Sequence, residues 1–96
     1  MTMTPEIESF AWDEAKSEAC AVARGFNFAY AAGVFDDLRS VRVDDRFDYG
    51  ELRELAFGLV GGRAMAVVFT MRGSVCRIIS ARFAHEKEVK LWLKSR

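Results

Sequence analysis

Glu51-Leu52-Arg53-Glu54-Leu55-Ala56-Phe57-Gly58-Leu59-Val60, Gly61-Gly62, Arg63-Ala64-Met65-Ala66-Val67-Val68-Phe69-Thr70-Met71, Arg72-Gly73-Ser74, Val75-Cys76-Arg77-Ile78-Ile79-Ser80-Ala81-Arg82 is the stretch that decides the fold. Three β-rich runs are separated by short glycine or polar breaks, the pattern of an antiparallel meander. Gly61-Gly62 suits a two-residue hairpin turn, because both residues take positive φ without steric cost. Arginines punctuate the runs at positions 53, 63, 72, 77 and 82. An apolar sheet with arginine at its ends is the feature to explain.

Upstream, Ile7 to Trp12 forms a short strand in this reading, and Asp13 caps a helix with Glu14 in its first turn, where the dipole favours an acid. Ala15, Ala19, Val22 and Phe26 follow helical spacing, and Gly25 supplies a left-handed end. Asn27 caps a second helix whose apolar stripe is Phe28, Ala31, Ala32 and Phe35. Asp36-Asp37 sits poorly at a helix C-terminus and starts the loop instead. Leu38 to Val43 alternates as a strand, and Asp44 to Gly50 is an acidic turn. A metal in that turn is the weaker reading, since its acids lack a fixed ligand spacing.

Downstream, Phe83 to Leu93 predicts a terminal helix with Val89, Trp92 and Leu93 facing the sheet and Glu86 paired to Lys90. The expectation is one α+β domain over 1–96, with residues 1–6 a flexible arm. Its order is N-terminal strand, two helices, antiparallel sheet and C-terminal helix, with the helices on one face of the sheet.

The 96 residues and 51% hydrophobic content fit a small packed core and exclude disorder. Formal charge is zero, yet residues 1–50 hold 5 Lys/Arg against 10 Asp/Glu, and residues 51–96 hold 9 against 4. An acidic half and a basic half imply a surface that meets phosphate or an acidic partner, unless folding mixes the charges. Cys20 and Cys76 lack metal or redox spacing and are expected as reduced thiols. With no signal peptide or long apolar run, a soluble, cytoplasmic protein is expected and no membrane partner.

The arginines are the first candidates for chemistry, because guanidinium grips phosphate oxygens bidentately. Charge along sheet edges produces the same pattern, and composition does not choose between the two. In a regular strand Arg77 and Arg82 point to opposite faces, and only a bulge or a strand end before Arg82 unites them. Arg53 shares a face with Leu55 and Phe57, half-buried and paired with Glu51. His85, the single histidine, is either a capping residue or a general acid/base. No metal cluster, nucleophile triad, P-loop or dinucleotide fingerprint is present, so no cofactor is expected.

Trp12-Asp13-Glu14-Ala15-Lys16, Val34-Phe35-Asp36-Asp37, Asp48-Tyr49-Gly50-Glu51-Leu52-Arg53, Val67-Val68-Phe69-Thr70-Met71-Arg72-Gly73 and Arg77-Ile78-Ile79-Ser80-Ala81-Arg82 occur in this order in one family. From about Phe10 to Glu88 the chain resembles the BrnT toxins of bacterial type II toxin–antitoxin systems. The resemblance implies a RelE-like fold and a metal-independent endoribonuclease that inhibits translation. It also implies a BrnA-like ribbon-helix-helix antitoxin through which alone the pair reaches operator DNA. The resemblance carries Glu51, Arg53, Arg77 and Arg82 over as catalytic candidates, and Lys16 more weakly. His85 does not match a family position and joins the catalytic candidates as an acid/base after the last strand. Lys16, Arg24, Arg63 and Arg72 are the candidates for contacting RNA. Where the family carries a lysine and a histidine before Gly25, this chain has Ala23-Arg24. The alternative is therefore a weakened or inactive homologue that binds the antitoxin and acts as co-repressor.

Overall fold

The computed structural model describes residues 6–46 and 48–94, the side chains of 92–94 excepted. In chain order the elements are β1 (Ser9–Trp12), α1 (Glu14–Arg24), α2 (Phe28–Ala31), a 3-10 turn (Ala32–Asp36), β2 (Leu38–Val43), β3 (Glu54–Val60), β4 (Arg63–Arg72), β5 (Val75–Phe83) and α3 (Glu86–Lys94). All but the last residue of the expected flexible arm lie outside the described residues, as do the side chains of Trp92 and Leu93, for which a sheet-facing position is expected from sequence.

The sheet order is β1-β5-β4-β3-β2, so β4 is central. Its residues Met65 to Thr70 are all buried, because both faces of the middle strand are covered. The meander forms as expected, with β3, β4 and β5 antiparallel. Gly61 and Gly62 close the first hairpin at φ 59° and 81°, the two positive values that a type I′ turn requires. One expectation is corrected at the sheet's edge. β1 pairs with β5 in parallel, Ser9 opposite Val75 and Trp12 opposite Ile78, so the sheet is mixed. The connection between these strands runs through most of the chain, and such a crossover delivers a parallel strand where a hairpin cannot.

The helices occupy both faces, against the expectation of one. Cys20, Phe26, Phe28, Ala31 and Val34 cover Ala56, Met65, Val67, Phe69, Cys76, Ile78 and Ala81 on one face. On the other, Ala84 and Val89 pack against Phe57 and Ala66, which places α3 there. Phe57 and Leu59 alternate with Ala56 along β3, and an apolar residue on each face demands cover on both.

The first helix turns a different side inward. Ser17 and Cys20 are its buried residues, while Val22 is 89% exposed. Ser17 Oγ accepts the Phe28 backbone N–H at 3.0 Å, which ties α1 to α2. The Cys20 thiol lies 3.7 Å from the Ala81 carbonyl as its donor. Polar partners available only in the folded chain thus override the alanine stripe. Both expected caps form: Asp13 accepts from Lys16 N, and Gly25 sits at φ 87°.

The second helix runs as α-helix only to Ala31 and then tightens. This tightening brings backbone onto β3 at Gly58. A Cβ there would stand 2.6 Å from the Asp37 carbonyl and 2.7 Å from that of Val34. Leu59 N–H donates to the same Asp37 carbonyl at 3.2 Å.

In β5 the partners step from Val68–Ser80 to Phe69–Ile78, which leaves Ile79 as an extra residue. This bulge reverses the parity beyond it. Arg77 and Arg82 therefore point to the same face, the one opposite α1.

Candidate active site

The strand expected from Glu51 begins only at Glu54, and residues 51–53 precede it as a bend beside the end of β4. Buried Thr70 holds the bend, its hydroxyl donating to the Leu52 carbonyl at 2.7 Å. The bend, the start of α1, the end of β4 and the middle of β5 enclose a cavity of about 130 Å³ lined by Asp13, Lys16, Glu51, Arg53, Arg72 and Arg77, with Ile78 and Ile79.

Glu51 lies between two guanidinium groups. Its Oε2 is 3.4 Å from Arg53 Nε and its Oε1 is 3.4 Å from Arg72 Nη2. The Arg53 guanidinium stacks 4.0 Å from the centre of the Tyr49 ring. Both contacts of Glu51 are long for charged hydrogen bonds. Arg77 and Lys16 have no ion pair to a described residue. The lining carries four cations (Lys16, Arg53, Arg72, Arg77) and two carboxylates (Asp13, Glu51), net +2. A small concave site with cations in excess attracts an anion.

Five of the residues singled out from sequence thus converge: Glu51, Arg53, Arg77, Lys16 and Arg72. Arg82 and His85 do not join them. Arg82 forms a two-pronged pair with Glu88, Nη1 to Oε1 at 2.7 Å and Nη2 to Oε2 at 2.8 Å. Glu88 also accepts the His85 backbone N–H at 2.7 Å, which anchors the start of α3. The Arg82 hydrogen bonds, then the His85 N–H, hold the Glu88 carboxyl down at about 2 against the cost of its burial. Arg77 faces Thr70 and Arg82 faces Ala66, which separates them by about 13 Å at about 3.3 Å per residue of strand.

Arg24 lines a second cleft, of about 470 Å³, between α1 and β5. Arg63 lines a third, of about 580 Å³, at the far end of α1, its guanidinium 3.6 Å from the centre of the Phe83 ring. Two contributors escaped the sequence reading. Asp13 looked only like a cap, and Thr70 like one more strand residue. A hydroxyl inside an apolar run is the signal that was available for Thr70.

Burial pushes both thiols up, Cys76 to about 12, and both are free. They are thus poor nucleophiles. In the acidic turn, Asp44 is occupied by Arg46 at 2.8 and 3.0 Å. Among the described residues no group of three or more His, Cys, Asp or Glu is arranged to hold a metal, and no helix is long and apolar enough to cross a membrane.

Fold and site together define a small α+β protein with an arginine-lined cavity suited to an anion. Residues 12–88 match the family described as ribonuclease toxin, BrnT, of type II toxin-antitoxin system. The chain belongs to the BrnT family, whose members are ribonuclease toxins, and this membership implies an antitoxin partner. Compared directly with individual curated proteins, the sequence matches none.

Proposed function

We propose that this protein is a metal-independent endoribonuclease whose small cationic cavity receives the scissile phosphate of RNA. The observation that carries this reading is the pair of unspent cations, Arg77 and Lys16, facing Glu51 in one cavity. RNA brings its own nucleophile, the 2′-hydroxyl. Its oxygen attacks phosphorus while the Glu51 carboxylate takes the proton, and the bond from phosphorus to the 5′-oxygen breaks. Lys16 delivers a proton to that leaving oxygen. Arg77, with Arg72 and Arg53, stabilises the charge that accumulates on the phosphoryl oxygens. The products are a 2′,3′-cyclic phosphate and a 5′-hydroxyl.

In this reading Arg82 and His85 serve the fold, while Arg24 and Arg63 contact flanking RNA. Cleavage in the cytoplasm inhibits translation. A BrnA-like ribbon-helix-helix antitoxin neutralises the enzyme and carries it to operator DNA, and the fold is RelE-like.

A second reading rests on a specific observation: the cavity contains no histidine, and Arg24, at the place of the family's lysine–histidine pair, lines the neighbouring cleft instead. The chain would then be a catalytically weakened homologue that binds antitoxin and represses. One experiment separates the two. Purified protein is incubated with RNA in the presence of EDTA, beside Arg77→Ala and Glu51→Gln. Cleavage to cyclic-phosphate ends, reduced about 10²- to 10³-fold by Arg77→Ala, supports the enzyme. Equal rates in wild type and Arg77→Ala would sink the assignment, and no cleavage by folded wild type favours the binding homologue.

A further inference from the structure

The catalytic cavity adjoins the second cleft. It shares Lys16 and Ile79 with that cleft, which is also lined by Arg24, Ser80 and Ala81. The third cleft is separate from it, at the C-terminal end of α1, lined by Ala21, Gly25, Phe26, Tyr30, Arg63 and Phe83. Lys16 and Arg24 line the second cleft and Arg63 the third, and none has an ion pair to a described residue. Lys16 and Arg24 are about 12 Å apart along the helix at about 1.5 Å per residue. Three or four stacked nucleotides, at about 3.4 Å each, cover that distance.

The far cleft differs in chemistry from the cavity. Arg63 is exposed, its guanidinium carbon seated over the Phe83 ring, which in turn meets Phe26 edge-on at 5.0 Å between ring centres. Tyr30, 47% exposed, flanks Phe26 with ring centres 6.2 Å apart. A guanidinium seated over an aromatic ring can offer its outer face for stacking, and unpaired RNA bases stack on guanidinium and aromatic planes. A phosphate needs no aromatic wall; a base does.

Building on the ribonuclease reading, we propose that this cleft is a base-binding subsite for single-stranded RNA. It takes a base a few nucleotides from the cut, stacks it on Arg63 and beside Tyr30, and so sets the sequence preference of cleavage. Arg24, in the second cleft, holds a phosphate of the same strand.

The test maps cleavage ends on a defined RNA for wild type, Arg63→Gln, Tyr30→Ala and Arg77→Ala, with folding checked by thermal melting. Loss of one stacked base lowers kcat/KM by about 5- to 100-fold. Arg63→Gln and Tyr30→Ala are expected to show that loss through KM, with kcat at saturation retained. They should also flatten the base preference at one fixed offset from the cut. Arg77→Ala instead lowers kcat at every sequence. Unchanged KM and preference in both cleft variants overturn the subsite, even where Arg77→Ala upholds the phosphate site. Should wild type cut nothing, the ribonuclease reading fails by itself. The subsite is then read from fluorescence anisotropy of a roughly ten-nucleotide single strand. Weaker binding by Arg63→Gln supports it, and equal binding refutes it.

Discussion

Replacing Glu88 by glutamine tests whether Arg82 belongs to the fold or to the chemistry. The Glu88 carboxyl falls from its ordinary 4.5 to about 2 in the folded protein. A group depressed in this way stabilises the fold above its unfolded pKa and loses that contribution as pH falls through the folded value. At about 1.4 kcal/mol per pKa unit the full contribution at neutral pH is about 3 kcal/mol. The side chains of Arg82 and Glu88 are 28% and 15% exposed, so solvent screening reduces this to about 2 kcal/mol. For a domain of this size that lowers Tm by about 10 °C.

Thermal melts of wild type and Glu88→Gln from pH 7 to pH 2.5 provide the assay. The gap in Tm should be full at pH 7, shrink below about pH 4.5 to about a quarter at pH 2.5, and close only below the folded value of about 2, where wild type loses the same ionised group. RNA cleavage by Glu88→Gln and Arg82→Gln, measured well below their melting points, should stay within about threefold of wild type if the proposed phosphate site is the separate cavity at Arg77. A Tm gap that persists unchanged to acid pH would refute the electrostatic account. Loss of cleavage in folded Arg82→Gln would return that arginine to the phosphate.

Two further outcomes follow from the packing. Gly58→Ala forces a Cβ against the Asp37 and Val34 carbonyls at 2.6 and 2.7 Å, and thermal or urea unfolding should show a loss of about 1–3 kcal/mol or more. Thr70→Val removes the hydroxyl that holds the Leu52 carbonyl; stability should fall by about 1 kcal/mol, while kcat drops about tenfold or more through misplacement of Glu51 and Arg53. A kcat equal to wild type in that variant would show that the bend does not position the site.

Sequence alone determined the meander, its Gly61-Gly62 turn and the caps of the first two helices. Each rests on neighbours a few residues apart, where alternation, positive φ and capping chemistry act locally. Tertiary structure decided the rest. Whether β1 joins in parallel depends on where a long crossover returns, and no local pattern records that. Which side of α1 turns inward was settled by Ser17 and Cys20 finding Phe28 and Ala81 across the fold. One extra residue, Ile79, put Arg77 and Arg82 on the same face. Distance along the strand then sent Arg77 to the cavity and Arg82 to Glu88. The arginines were visible in the chain, but the partner of each was fixed only by the surfaces that folding brought together.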